Sequence, residues 1–234
     1  MLKITISGAV AQSGRAADGK RPFFWELVGA IIGDGNLYSK NSHYRVELTG
    51  HQEKDEEYFK YLKENIEKQF GVFVKVRKRE NAIRLRITSK HFFQMISSTG
   101  IPIGFGKHLK VALPKVALED IEIAKQVIRG IMDTDGSIFT SDKKGVKNYP
   151  TLEFTSSSRK LLDQIRDILI KLGFRTGKVR KSFSKKSNTA SFKLALYGRE
   201  NLKKWMNTIG FSNSYKYKIA KSILGLFPAE AEDR

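Results

Sequence analysis

The sequence predicts an α+β protein built from one unit that occurs twice, and two observations lead to this prediction. An apolar segment ending in Asp-Gly occurs at residues 27–35 (LVGAIIGDG) and again at residues 128–136 (IRGIMDTDG). After each segment, hydrophobic residues first alternate with polar ones, as in a β-hairpin, and then recur at helical spacing. The two patterns follow in the same order after both segments. The predicted fold is therefore a pseudo-symmetric, duplicated α-β-β-α-β-β-α unit with antiparallel sheets.

The first hairpin and the second helix of each unit follow from these patterns. In the first unit Val46 and Leu48 alternate with polar residues, and Leu152 and Phe154 repeat the alternation in the second. A polar-started helix that a glycine closes follows each hairpin. The predicted ranges of these two helices are residues 52–70 and 158–172.

The second hairpins predict a surface that is apolar on one side and cationic on the other. Both open with Lys-Val-Arg-Lys, at residues 75–78 and 178–181, and acidic residues are nearly missing from their polar faces. A helix, a glycine, a basic stretch and a last helix follow in each unit. The predicted domains are an N-terminal extension at residues 1–22 and two halves at residues 23–118 and 121–228.

The two Asp-Gly helices are predicted to pack against each other. Gly29, Gly33 and Gly130 are small residues at helical spacing, which allows two helix backbones to approach closely. Asp34 and Asp135 would then lie side by side, where like charges and two helix carboxyl ends create a negative potential. A divalent cation would relieve that potential, and oxygen ligands favour Mg²⁺, with Mn²⁺ as a substitute.

The composition favours a polyanionic partner. The chain has 43 Lys+Arg against 24 Asp+Glu, a formal net charge of +19. Nucleic acid is the partner that this charge best fits, and no apolar run is long enough for a membrane span. The absence of cysteine excludes disulfides, thiol catalysis and cysteine-ligated zinc.

The strands of the hairpins supply the candidate DNA contacts. A two-stranded ribbon fits the major groove, where base pairs are distinguishable, and loop tips reach phosphates. The candidate DNA-binding residues are Lys40, Arg45, Lys75, Arg77, Arg79, Arg84, Arg86, Lys178, Arg180, Ser182, Lys185 and Lys193.

The paired segments resemble the two LAGLIDADG motifs of homing endonucleases in their single-chain form. The second copy has Gly130, Asp133 and Asp135 in place, whereas the first has Ile32 at the position of the earlier aspartate. The resemblance implies that Asp34 and Asp135 are the metal ligands. It also implies basic residues around an active-site water, although the same residues equally fit exposed phosphate contacts. These candidates recur in register and are Lys54, Lys160, Lys110 and Lys218.

The resemblance implies a monomeric, Mg²⁺-dependent, site-specific double-strand DNA endonuclease with an intron-encoded, homing role. The two sheets would form a saddle over one duplex, and because the halves differ the long target need not be palindromic. The alternatives are an intron RNA maturase or a catalytically silent DNA-binding relative on the same fold. A basic structural or ribosome-associated protein would explain the charge but not the paired Asp-Gly helices. We expect a free-standing, soluble protein rather than an intein, in a prokaryotic cytoplasm or in an organelle.

Overall fold

Two successive units form the computed structural model, which describes residues 22–104, 106–182 and 190–226. The helices are α1 (Pro22–Asp34), α2 (Glu56–Phe70), α3 (Lys90–Ser97), α4 (Lys107–Lys110), α5 (Lys115–Glu119), α6 (Ile121–Thr134), α7 (Arg159–Lys171), α8 (Arg199–Thr208) and α9 (Ser214–Leu224). The strands are β1 (Gly35–Lys40), β2 (His43–His51), β3 (Val74–Arg79), β4 (Ala82–Ile87), β5 (Gly136–Lys143), β6 (Val146–Ser156), β7 (Arg180–Ser182) and β8 (Ser191–Tyr197).

Each unit contains one antiparallel four-stranded sheet, in the orders β1-β2-β4-β3 and β5-β6-β8-β7. The alternation that predicts these strands also predicts which face of each strand is buried. Val46, Leu48, Leu152 and Phe154 all lie in the core. The polar residues between them lie on the opposite face. The predicted α+β class with a duplicated unit is confirmed.

Helix α1 lies at the centre of the core. Residues 23–32 are all buried, so the helix is surrounded by protein on every side. Its side chains and those of α6 belong to one continuous hydrophobic cluster that extends under both sheets. The two units therefore share a core across the α1–α6 contact. Within the described ranges, no helix is long and apolar enough to cross a membrane.

Two elements differ from their predicted extents for local reasons. Helix α2 begins at Glu56 rather than at residue 52, because the Asp55 carboxylate accepts the His51 backbone N–H at 2.8 Å and closes a turn instead. In the second unit, Thr176 pairs with Leu196 but Arg180 pairs with Lys193, so one strand has an extra residue between the pairs.

The irregularity in the second unit leaves Lys178 outside the ladder. The strand predicted from this lysine begins at Arg180 and is three residues long. The end of the chain also differs between the units, since the first has the two short helices α4 and α5 where the second has the 11-residue helix α9.

Candidate functional site

The backbones of α1 and α6 touch at two glycines. A Cβ atom added at Gly29 would overlap the Val127 carbonyl oxygen and lie 2.8 Å from its carbonyl carbon. A Cβ at Gly130 would overlap the Glu26 carbonyl oxygen and lie 2.6 Å from the Ala30 nitrogen. Neither obstacle is a side chain that can rotate away. Glycine is therefore required at both positions for this helix contact.

This contact brings Asp34 and Asp135 together at the same end of the helix pair. Asp34 is the last residue of α1, and Asp135 directly follows α6 as its C-cap. A Cβ at Gly33 would lie 3.5 Å from the Asp135 carboxyl carbon, which shows how closely the two ends approach. The two side chains share a hydrogen bond, so the pair retains a proton.

The environment of the pair disfavours two negative charges. Burial, followed by the charge and hydrogen bond of Asp135, raises the pKa of Asp34 from 3.8 to about 7. Asp135 is exposed whereas Asp34 is half-buried, so the pair opens to solvent on the Asp135 side. An arrangement that holds two carboxyl groups together against their repulsion is suited to a cation.

A buried lysine lies beneath the acid pair. Lys216, on α9, donates its Nζ protons to the carbonyl oxygens of Met132 at 2.7 Å, Thr134 at 2.9 Å and Gly136 at 2.7 Å. Burial lowers the pKa of Lys216, and the nearby aspartates, which include Asp34 and Asp135, oppose that shift. The ammonium group thus satisfies the carboxyl end of α6 and the turn that carries Asp135.

A polar network joins the two units next to this lysine. The Asn213 side-chain amide donates to the Asp55 carboxylate at 2.9 Å and to the Asp133 carbonyl oxygen at 3.1 Å. The fully buried Asp133 carboxylate accepts the Ser212 backbone N–H at 2.8 Å. Burial, followed by the charge of Glu26, raises the pKa of Asp133 to about 8. Asp133 thus anchors the loop before α9.

The structure places the four predicted catalytic lysines on the surface. Lys218 is exposed, and its Nζ lies 3.4 Å from a Glu57 carboxylate oxygen. The lysine whose charge acts on Asp34 is Lys216 instead. Lys54 lies over the Tyr215 ring at 6.0 Å, and Lys160 and Lys110 are exposed at the ends of α7 and α4.

The register between the two units predicts Lys218 on α9 and gives no signal for Lys216. Lys216 and Ala220 are the buried residues of α9, one turn apart, which puts Lys218 on another face of the helix. Asn213 accepts the Lys216 backbone N–H as the helix N-cap. An asparagine followed by a helical pattern is a recognisable start signal, and it would have fixed which face of α9 points inward.

The acid pair fits a divalent metal as a two-carboxylate site. Among the residues that the structure describes, no group of three or more histidine, cysteine, aspartate or glutamate side chains is arranged to hold a metal ion. Asp34 and Asp135 would therefore supply two carboxylates, and water or phosphate oxygens would complete the coordination. This is a hard oxygen site of the kind that Mg²⁺ and Mn²⁺ occupy.

We expect the metal-free protein to lose stability as the pH rises from about 4 to about 7. The raised pKa of Asp34 means that the folded state binds this proton more tightly than the unfolded state does. The proton's contribution, about 1–2 kcal/mol or a few degrees of melting temperature, is therefore present at low pH and lost as the group ionises.

The measurement is the melting temperature against pH in EDTA, for wild type and for Asp34→Asn, whose difference isolates this group from Asp133. At pH 8, Mg²⁺ or Mn²⁺ should raise the melting temperature of wild type and not of the variant. A flat difference curve, or equal stabilisation of both proteins by metal, would contradict the assignment of Asp34.

The polar face of the first sheet is cationic and open. Its basic residues surround a shallow pocket of about 170 Å³. The residues that line it are Lys75, Arg77, Arg79, Ala82, Arg84 and Arg86. Arg45 stacks over the Tyr38 ring at 4.6 Å on the same sheet, and Lys40 is exposed at the end of β1.

Within residues 136–182 and 190–197, the polar face of the second sheet carries fewer cations than that of the first. Arg180 on β7 pairs across the ladder with Lys193 on β8, and Ser182 pairs with Ser191. Lys178 lies in the loop before β7. The predicted contact Lys185 lies outside the described residues. The two faces therefore differ in charge and side-chain type at corresponding positions.

Both units match family models. Residues 122–210 match a LAGLIDADG-like domain, and residues 23–95 match the WhiA LAGLIDADG-like domain. The predicted halves thus each contain one match.

Two curated proteins contain similar segments. The chain is 23% identical over 200 residues to the replication factor C small subunit of Methanocaldococcus jannaschii, covering 85% of this chain and 10% of that protein. It is 23% identical over 234 residues to the tRNA-splicing ligase RtcB of Methanopyrus kandleri, covering 91% of this chain and 22% of that protein. The chain therefore spans a tenth and about a fifth of the length of these relatives.

Solved structures share the fold. I-DmoI in complex with DNA and Mn matches with a TM-score of 0.59 and 21% identity, covering 82% of this chain and 97% of that one. The meganuclease I-SmaMI, bound to DNA, matches with a TM-score of 0.55 and 14% identity over 88% of both chains. WhiA from Thermatoga maritima matches with a TM-score of 0.54 and 16% identity over 87% of this chain and 60% of that one. The chain belongs to the LAGLIDADG family, in its single-chain, two-motif form.

Proposed function

We propose that this protein is a metal-dependent, site-specific endonuclease that cuts both strands of DNA. The observation that carries the proposal is the hydrogen-bonded pair Asp34 and Asp135, which lies at the junction of two sheets with cationic faces. A structural helix cap needs no second carboxylate beside it, whereas phosphodiester hydrolysis uses carboxylates to hold a metal at the scissile phosphate.

Asp34 and Asp135 would hold Mg²⁺ or Mn²⁺, with each aspartate supplying oxygen ligands. When bound, the ion would supply a more acidic water and stabilise charge on the phosphate. The shared proton of the pair must leave before the metal binds, so metal affinity rises with pH up to about 7. Metal-bound structures of the relative I-DmoI contain Mn or Ca together with DNA, which supports this choice of metal.

Lys216 acts on the chemistry through Asp135. Its three ammonium protons bind three carbonyl oxygens, so none is left to donate to a phosphate. It is therefore a positioning residue that fixes the Asp135 turn. The exposed lysines Lys54, Lys110 and Lys160 are free to approach the DNA backbone and are better suited to phosphate contacts than to proton transfer.

Each sheet would read one half of the target. The polar faces are of different composition, since the first presents a basic row and the second alternates serine, threonine and cations. A single chain with two unlike faces matches a long, non-palindromic duplex and needs no second copy. Intron encoding, a homing role and binding of intron RNA stay predictions.

The second candidate function is sequence-specific DNA binding without cleavage. The match of residues 23–95 to the WhiA LAGLIDADG-like domain favours it, because this half then resembles a LAGLIDADG-like domain that is not named as a nuclease. The retained carboxylates at both helix ends favour the enzyme, since a binding protein gains nothing from two acids facing phosphate.

Selection from a randomised DNA library in Mg²⁺ tests the proposal. Recovery of linear products that share one long, non-palindromic site would support an endonuclease. Enrichment of a bound but uncut site would establish the binding protein instead. Absence of any enriched sequence would overturn both candidates.

DNA binding should weaken steeply with salt because the sheets must displace counterions from phosphates. If the cations of the two faces together neutralise about seven phosphates, affinity should fall by roughly 10³–10⁵ between 50 and 200 mM salt. The cations expected to contribute are Lys75, Arg77, Arg84, Arg86, Lys178, Arg180 and Lys193. Equilibrium binding of the selected site at several salt concentrations gives the slope. A nearly flat slope would show that these faces do not carry the DNA.

A further inference from the structure

In the part of the chain that the structure describes, each sheet has one glutamate on its polar face, at the same place in both units. Glu47 on β2 faces Asn36, the second residue of β1. Glu153 on β6 faces Ser137, the second residue of β5. Each glutamate therefore lies across the ladder from the residue that follows an Asp-Gly motif, among cationic side chains of its sheet. A carboxylate in this position opposes the approach of DNA unless it has another role.

In the first unit, each carboxylate oxygen of Glu47 lies beside an arginine nitrogen. Arg86 donates its Nε–H to Oε1 at 2.6 Å, and the Nε of Arg45 lies 3.0 Å from Oε2. Arg86 is the cross-strand partner of both Glu47 on β2 and Lys75 on β3. One carboxylate thus holds two guanidinium groups in a row of charged residues across the sheet.

In the second unit, Glu153 has the same kind of partners. Lys193 donates to its Oε1 at 2.6 Å, and Arg180 Nη2 lies 3.9 Å from its Oε2. Arg180 also donates to the Tyr197 hydroxyl at 3.0 Å. The two units therefore use different cations around an acid at a corresponding position.

The glutamates lie beneath these cations and do not project toward DNA. Their side chains are only 12% and 11% exposed for Glu47 and Glu153, whereas that of Arg180 is 60% exposed. A mostly buried carboxylate that already accepts a hydrogen bond from one cation and lies beside a second has little capacity left for a cytosine amino group. Direct contact of the glutamates with base edges is therefore disfavoured.

We propose that Glu47 and Glu153 are positioning residues that set sequence discrimination, each in its own half-site, by holding the DNA-facing cations in fixed orientations. This inference rests on the proposed function. The same carboxylates lower the affinity for non-specific DNA, because each removes positive charge from the face that meets phosphate.

The chemistry of arginine supports this role. An unrestrained guanidinium turns to the nearest phosphate, and phosphate contacts position the protein without reading sequence. When the Nε–H of Arg86 is held by Glu47, its terminal Nη groups remain, and these are the donors that bind guanine O6 and N7 together. Fixing the side chain in advance also avoids loss of rotamer entropy on binding.

The test uses Glu47→Gln and Glu153→Gln, which keep size and remove charge. Binding is measured on the selected target, on every single base-pair variant of it, and on unrelated DNA. We expect non-specific affinity to rise a few-fold for both variants. Discrimination should fall on the order of tenfold at positions in one half-site for Glu47→Gln and in the other for Glu153→Gln. The unaffected half-site of each variant shows that the protein is folded.

Glu80→Gln and Glu200→Gln are the matched controls. Glu80 is exposed at the turn of the same sheet as Glu47, and Glu200 is exposed on α8. They remove the same charge, so they should change affinity slightly and leave the discrimination profile intact. Profiles of Glu47→Gln and Glu153→Gln that match their controls would overturn the inference, as would uniform flattening across both half-sites. A wild-type protein with no preferred sequence would instead overturn the proposed function.

Discussion

Replacing Asp34 or Asp135 by asparagine is expected to abolish double-strand cleavage while sequence-specific binding of DNA persists. Asparagine keeps the shape of aspartate but removes the negative charge that holds a divalent cation. The two carboxyl groups are in hydrogen-bonding contact, so they serve one small site and each substitution affects all of it. Binding should persist or tighten, because repulsion between the acid pair and phosphate is reduced.

The assay is conversion of a supercoiled plasmid that carries the target, in Mg²⁺, with Ca²⁺ as a binding control. Loss of linear product by at least a hundredfold is expected for both variants, with little nicked circle. Nicking by a single variant would mean that each aspartate serves its own strand. Asp163→Asn is the control, since Asp163 is a partly exposed residue of α7 that pairs with Arg159 at 3.4 Å.

Linear product at the wild-type rate from either acid-pair variant would overturn the assignment of the metal site. Loss of folding in both would return the two aspartates to the role of helix caps. The melting curves in EDTA separate this outcome from loss of activity, because an intact fold gives a cooperative transition at a temperature near that of wild type.

The sequence was sufficient for the elements of this fold because their patterns are local. The alternation of Val46 and Leu48 reports directly on which face of β2 is buried, and the repeat confirms each assignment a second time. The close approach of α1 and α6 was also predictable, since small residues at helical spacing, such as Gly29 and Gly33, are a sequence signal of close helix packing. In each case the signal itself lies within one short segment of the chain, even where the contact joins two distant segments.

The surroundings of the acid pair depend on contacts that are distant in sequence. Lys216 reaches carbonyl oxygens 80 to 84 positions earlier, and Asn213 reaches Asp55 across 158 positions. No periodicity encodes such pairs, so the register between the units predicts Lys218 among the catalytic lysines, whereas the fold places Lys216 beside the acid pair. The pairing of Glu47 with Arg86 is hidden in the same way, since it spans 39 positions and two strands.

Substitutions at the α1–α6 helix contact are expected to cause a large loss of stability. Gly29→Ala and Gly130→Ala should each destabilise the protein by about 1–3 kcal/mol or more, although neither position meets substrate. An alanine Cβ would overlap a carbonyl oxygen of the facing helix in both cases, and backbone cannot rotate away as a side chain can. This overlap outweighs the roughly 1 kcal/mol by which alanine favours a helix over glycine.

Gly33→Ala is the matched comparison on the same helix. There the added Cβ meets the hydroxyl of Thr134 and lies 3.1 Å from its Cβ, so a change of rotamer relieves part of the overlap. Chemical denaturation of the three variants should therefore rank Gly33→Ala as the least destabilised. Because α1 and α6 join the two units, Gly29→Ala and Gly130→Ala should also separate the aspartates and reduce cleavage in parallel with stability. Wild-type stability for either of these two variants would show that the helices do not meet at their glycines.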